Sequence, residues 1–310
     1  MMLSTVAERI YWTARYLERV ENTARLVNVY ANLLFDLPRA VDISWYSLVE
    51  LNSGVTYFEE RYKNKDERNV IKFVLADLTN PGSMMSSLHQ VRENIRTSRD
   101  VVPIETWELV NELKMFAEES IQSGINRGQR HEFLDSIIKG VQQINGLLGS
   151  TMSQDAAWQF LRVGRNLERA DMTTRILDAG AAFLLNVEDD DTANLAQIVW
   201  GNVLSSVSAY VPYRRTMRAA VKGGEVAEFL LEDKYFPRTV RFCLDHMEDA
   251  VGEIPNSAAV QKSIRSVSKK AFDQVDYDKL DQHFRDYLND LQLDIASLHT
   301  AIVEHWFSMD

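Results

Sequence analysis

The stretches "RYLERVENTAR" (Arg15–Arg25) and "RNLERADMTTR" (Arg165–Arg175) decide how the chain is read. Six of the eleven positions are identical, and Glu21 against Asp171 keeps its charge. Ordinary composition gives roughly one chance match in such a window. On a helical wheel of about 100° per residue, Leu17, Val20, Ala24, Val27, Ala31 and Leu34 form one apolar face. Arg15, Glu18, Arg19, Glu21, Asn22 and Arg25 fill the opposite half. The second stretch repeats the pattern, with Leu167, Ala170, Leu177, Ala181 and Leu184 apolar and Arg165, Glu168, Arg169, Asp171 and Arg175 charged. Two amphipathic helices with the same charged phrase point to a duplicated helical chain.

The duplication extends outward. Trp45 in "WYSLVELNSGVTYF" aligns with Trp200 in "WGNVLSSVSAYVPY". Phe73–Ile95 aligns with Phe229–Val251, keeping Phe, Leu, Asp, Pro and Leu in register, and the offset drifts only from 150 to 156 residues. Residues 1–150 and 151–310 therefore read as two copies of one helical unit. Two copies are too few for a solenoid, so a pseudo-twofold pair sharing one core is expected. Periodicity and Gly/Pro punctuation place helices at about 3–35, 42–62, 67–78, 83–99, 104–126, 130–148, 154–186, 192–221, 224–233, 237–251, 257–272 and 277–307. Ser83 is a candidate cap after a Pro-Gly turn, and Pro237 suits a first helical position. No convincing alternating strand is present, so the fold class is all-α.

Composition bounds the function. The 310 residues are 45% hydrophobic and 25% charged, as in ordinary globular chains. No apolar run reaches the roughly 20 residues of a membrane span. "MMLSTVAERIYW" has no basic region followed by an apolar stretch, so no secretory signal is expected. Cys243, the single cysteine, excludes an intrachain disulfide and lies on an apolar stripe in "VRFCLDHM", where burial is expected. The net charge of −11 argues against general nucleic-acid or anionic-membrane binding. A cytoplasmic location is expected.

The charged phrases admit two readings. A solvated face stitched by pairs such as Arg15–Glu18 and Glu21–Arg25 would gain about 0.2–0.5 kcal/mol per pair. Further along each helix the charged side turns apolar, through Leu26, Val29 and Leu33 and through Ile176, Ala179 and Phe183. A helix that is apolar all round is buried all round. A partly buried Glu-Arg cluster is therefore favoured, with arginine's planar fork able to hold carboxylates two-handed.

The sequence resembles the Alpha-E family, bacterial helical proteins with a Glu-Arg motif. The resemblance rests on "YLERVENTARL", Asn80–Asn111 ("NPGSMMSSLHQVRENIRTSRDVVPIETWELVN"), Gly146–Asp178 ("GLLGSTMSQDAAWQFLRVGRNLERADMTTRILD") and "FPRTVRFCLDHM" (Phe236–Met247). Thr239 stands where the family usually has Ser. Members are typically encoded beside an ATP-grasp ligase and a transglutaminase-like papain-fold protein. The resemblance thus implies those two partners and an accessory role in peptide or amide-bond metabolism, and leaves open whether the protein is an enzyme or a scaffold.

A second charged stretch, "VRENIRTSRD", puts Arg92, Arg96 and Arg99 on one helical face beside Glu93 and Asp100. Three such arginines can hold a carboxylate, a phosphate or an acidic partner; equally, they can pair with Glu93, Asp100 and Glu105. The second copy has "MEDAVGE" here, so the basic face is not duplicated. Trp107, which follows, is expected in the core.

Sharper chemistries find little support. A ferritin-like di-iron site needs Glu-x-x-His on two helices, and no histidine stands three residues after a Glu. No metal ligands and no cofactor are assigned. "KGGE" lacks the context of a phosphate loop, and no nucleophile is activated by a recognisable base. Acid–base work by Glu18 or Glu168 is opposed by neighbouring arginines, which favour the ionised form. The leading expectation is a non-catalytic scaffold or substrate-presenting protein. The rival is an enzyme whose Glu/Arg-lined cleft takes an amino-acid-like or peptide substrate.

Overall fold

Two proline loops show how the same local chemistry is used twice. After "NPG", the Ser83 hydroxyl accepts a hydrogen bond from the Ser86 N–H at 3.1 Å. After "FPR", the Thr239 hydroxyl accepts one from the Phe242 N–H at 3.3 Å. Each oxygen satisfies an amide that lacks an intrahelical acceptor, so each residue is an N-cap. Upstream, Asp77 accepts from the Thr79 N–H and Asp233 from the Tyr235 N–H, both at 2.9 Å, tightening the two turns alike. Pro237 lies in its turn, before the cap, and the helix begins at Val240 rather than at the expected residue 237.

The computed structural model describes residues 4–36, 44–185, 192–273 and 275–308, without the side chains of 34–36, 192 and 193. The expected helix ends at 3, 42 and 186, and the Leu34 side chain, lie outside the described residues. Among the described residues there are fourteen α-helices and no strand. They are α1 (Ser4–Asp36), α2 (Ser47–Leu51), α3 (Val55–Glu59), α4 (Glu67–Leu75), α5 (Met84–Arg96), α6 (Glu105–Ile125), α7 (Arg130–Thr151), α8 (Ala156–Leu185), α9 (Thr192–Ser206), α10 (Tyr210–Met217), α11 (Gly223–Glu232), α12 (Val240–Gly252), α13 (Ala258–Ala271) and α14 (Gln282–Trp306). The protein is all-α. No helix among the described residues is long and apolar enough to cross a membrane.

The chain forms two compact units that divide inside α8, one reaching Arg165 and the other beginning at Asn166. In the first, α6 packs on α5 and α7, α4 on α5, and α2 on α3 and α4. In the second, α13 packs on α12 and α14, α11 on α12, and α9 on α10 and α11. Helix for helix, α2–α7 thus correspond in order to α9–α14 and share most neighbours, the exceptions being α4 on α6 in the first unit and α10 on α11 in the second. The cores repeat as well. Phe58 meets Phe73 edge-on at 87°, and Tyr213 meets Phe229 edge-on at 87°. These are aligned positions of the two copies, and such T-shaped pairs favour the ring quadrupoles.

The single helices expected over 42–62 and 192–221 are each broken in two, and at the same aligned serine. Ser53 has φ 55° and Ser208 has φ 59°. The next amide, Gly54 N–H or Ala209 N–H, bonds back to Val49 or Leu204. The serine amides themselves reach Glu50 and Ser205. This double closure is a Schellman stop, which normally takes glycine at the left-handed position. Apolar periodicity runs through the break because both short helices bury the same side, leaving the stop invisible to the pattern.

Within the first unit, the opening turns of α8 lie hard against α1. A Cβ at Gly164 would sit 2.3 Å from the Tyr11 carbonyl oxygen, so only glycine admits this approach.

Candidate functional site

In the first unit, α1 turns its charged phrase inward. Glu18 is fully buried and Glu21 nearly so. Glu21 Oε1 accepts from Arg25 Nη2 at 2.6 Å and Nε at 3.0 Å. The Glu18 carboxylate lies 3.9 Å from Arg165 Nε. Arg165 also donates to Asn145 Oδ1 at 3.2 Å and lies over the Trp158 ring. Arg15 stands over Trp12, 4.8 Å from the ring centroid, and donates to the Tyr11 hydroxyl. Arg19 lies over Tyr16. The arrangement places carboxylates inside and spreads half-buried guanidinium groups over aromatic faces, where the ring quadrupole attracts them.

The second unit repeats the scheme on the remainder of α8. Glu168 is buried, and Arg175 Nε donates to Asp171 Oδ2 at 2.9 Å, the counterpart of Arg25–Glu21. Here the proline loop docks on the phrase. Arg169 donates to the Pro237 carbonyl at 3.4 Å, and the Thr173 hydroxyl donates to the Arg238 carbonyl at 2.7 Å. That loop joins "FPRT" to the charged phrase. Cys243, fully buried, points its Sγ at the Pro237 carbonyl. Asn145, Trp158, Thr173 and the two loop carbonyls were not singled out from sequence. Only the shared proline loop offered a signal, since carbonyl acceptors leave no mark on residue type.

The second charged stretch is already partly neutralised. Glu93 takes Arg92 at 2.7 Å and Arg96 at 2.9 Å. The hydrogen bond from Arg96, helped by the Arg92 contact and opposed by desolvation, holds the Glu93 carboxyl below its usual range. Arg92 also donates to Asn111 Oδ1. Arg92 and Arg99 share the Trp107 ring, with Arg99 at 3.9 Å from its centroid. Trp107 is half-buried beneath these arginines rather than fully in the core. Exposed Arg99 forms no ion pair with a described residue. In the second unit, Glu248 occupies the place of Arg92 and draws Arg265 from α13 instead. The structure thus joins Arg92, Arg96 and Arg99 around Glu93 and Trp107.

Among the described residues, no three His, Cys, Asp or Glu side chains are placed to hold a metal ion. A family model, Alpha-E, described as a predicted alpha-helical domain with a conserved ER motif, matches residues 2–307. The chain belongs to the Alpha-E family. Glu18-Arg19 and Glu168-Arg169 are Glu-Arg dipeptides of the kind that names the motif, and both glutamates are buried. The chain is also similar to an uncharacterised protein of Mycobacterium bovis and to two of Mycobacterium tuberculosis, at 22% identity over 282 residues in each case. Each match takes in 85% of this Alpha-E chain but only 31% of the relative. The chain therefore spans about a third of the length of the curated relatives it matches. No solved structure matches the chain.

Proposed function

We propose that this Alpha-E protein is a cytoplasmic helical scaffold or substrate-presenting partner for an ATP-grasp ligase and a transglutaminase-like protein in peptide or amide-bond metabolism. One observation carries the reading: the motif carboxylates Glu18, Glu21 and Glu168 are buried. A general base or nucleophile must come within hydrogen-bonding reach of a substrate atom. Carboxylates removed from solvent and engaged by arginines serve architecture better than turnover. The Mycobacterium relatives are in keeping with this, since there the helical region shares one chain with about twice as much further sequence. Covalent linkage raises effective concentration and favours elements that work together.

The Arg92–Arg96–Arg99 face is the docking point of choice. Purification of the protein from its native host, followed by mass spectrometry, should recover an ATP-grasp protein. An Arg96→Glu, Arg99→Glu variant should remain folded and recover less, and the contact should weaken as salt rises, because exposed charge pairs are screened over about 8 Å at physiological ionic strength. Recovery of no partner by the wild type would overturn the scaffold reading. The rival, an enzyme acting on an amino-acid-like or peptide substrate through a Glu/Arg-lined cleft, would gain if the isolated chain showed turnover abolished by Glu18→Gln.

A further inference from the structure

The charged phrases and the Arg92 face leave one basic surface unexplained. Helix α10 is held to its unit by Tyr213, whose ring is fully buried against Phe229 and whose hydroxyl donates to the Ala220 carbonyl at 3.0 Å and to Glu225 at 3.2 Å. On the opposite side of the helix stand Val211, Arg214 and Arg215, at spacings of three and four residues and so on one face, and Arg218 caps the helix end one turn beyond Arg214. Val211 is 74% exposed, and the three arginines are exposed too. None of the three pairs with a described acidic residue. Lys222 nearby is already engaged by Glu225.

Among the described residues, no carboxylate offsets this arrangement. A helix C-terminus favours one nearby cation through its dipole, but like charges at four-residue spacing, Arg214 and Arg218, repel. Arg218 is also held at φ 53°, a left-handed conformation that disfavours any residue with a Cβ. In the first unit Arg214 and Arg215 align with Glu59 and Glu60, Glu59 being paired with Lys65, while Arg218 aligns with Lys63. The charge is therefore inverted at two adjacent positions of a duplicated fold, in a chain of net charge −11.

We propose that the Val211–Arg214–Arg215–Arg218 face of α10 binds an acidic peptide segment of a partner protein, with an apolar side chain on Val211 and carboxylates on the three arginines. Charge complementarity selects an anionic occupant. Tyr210, 38% exposed and one turn before Arg214, is a single aromatic side chain beside the face, whereas single-stranded nucleic acid is held on a succession of stacking rings. The face's one valine is too little apolar surface to insert into a bilayer. Arginine forks suit carboxylates two-handed, and the valine suits one apolar residue between them. This surface is distinct from the Arg92 face, and its test does not depend on that proposal.

The probe is a fluorescein-labelled peptide of aspartate and glutamate with a central leucine, titrated with the full chain at two salt concentrations. Wild type should bind, more weakly at high salt. Arg214→Gln with Arg215→Gln should weaken binding at least tenfold. Lys139→Glu, on an exposed lysine of α7 and producing the same change in net charge, should leave binding unchanged. Arg218→Gly removes a charge while relieving the left-handed backbone, so it should weaken binding without lowering the melting temperature. That combination separates a binding role from a structural one. Absence of binding by the wild type, or equal loss in the Lys139 variant, would overturn the proposal. Binding of single-stranded RNA or phosphatidylserine vesicles through these arginines, with the peptide unable to compete, would do so too.

Discussion

Glu18 is a carboxylate with essentially no access to water, and its charge is met by guanidinium groups such as that of Arg165. Burying an ion costs several kcal/mol, and attraction to a partner repays this only while the partner is present. Glu18→Ala is expected to destabilise by about 3 kcal/mol or more, because it strands the largely covered Arg165 guanidinium, and Glu168→Ala, at the aligned buried position, is expected to cost a similar amount. Chemical denaturation of the purified variants measures this. A loss below about 1 kcal/mol in both would place them with ordinary surface pairs. Glu67 offers a second test. Burial alone would raise its pKa, but hydrogen bonds from Arg127 and Arg130 outweigh burial and the net shift is downward. A depressed folded-state pKa contributes stability that is present above the unfolded value, about 4.3, and lost as pH falls through the folded value. Stability should therefore drop below about pH 4, and Glu67→Gln should lose less between pH 5 and pH 3 than wild type. An unchanged acid limb would remove Glu67 from the account.

At the scale of the element, the duplicated left-handed serines stand out. Ser53 and Ser208 end α2 and α9 with a Cβ in a conformation that glycine adopts freely. Left-handed backbone costs a residue with a Cβ about 1–2 kcal/mol. Ser53→Gly and Ser208→Gly should each raise stability by roughly 0.5–1 kcal/mol, part of the gain being offset by a more flexible unfolded chain. Thermal melts of the single and double variants test this, and additive increases are expected because each serine sits in a separate unit. Two decreases would mean that the hydroxyls, not the backbone, hold the stops. The caps differ in kind, Ser83 in one copy and Thr239 in the other, yet both donate no strain and accept the same third amide.

For the whole molecule, the division inside α8 matters more than the repeat boundary read from sequence. Trp158, Gly164 and Arg165 precede the division and complete the first unit: Gly164 abuts Tyr11, and Arg165 reaches Glu18 and Asn145. A fragment of residues 1–150 keeps one whole copy of the repeat but loses these contacts, leaving Tyr11 and Glu18 uncovered. It should melt well below a fragment of residues 1–185, or fail to fold, as followed by circular dichroism and heteronuclear NMR. Equal stability of the two fragments would show that α8 adds nothing to the first unit.

The helical class, the duplication and the burial of the Glu-Arg phrase were legible in the order of residues, because they rest on local periodicity and on the rule that a helix apolar all round is covered all round. Cys243 was legible for the same reason. The stops at Ser53 and Ser208 were not, because serine carries no preference for left-handed backbone and the apolar period continues across them. The half-buried Trp107 was misplaced because its cover is two arginines, whose position depends on how α5 meets α6. Which carboxylate meets which arginine, and the docking of Arg169 and Thr173 on the Pro237–Arg238 carbonyls, only the tertiary structure decided. Pairing of that kind joins residues far apart in the chain, and a backbone carbonyl is the same acceptor whatever side chain it carries.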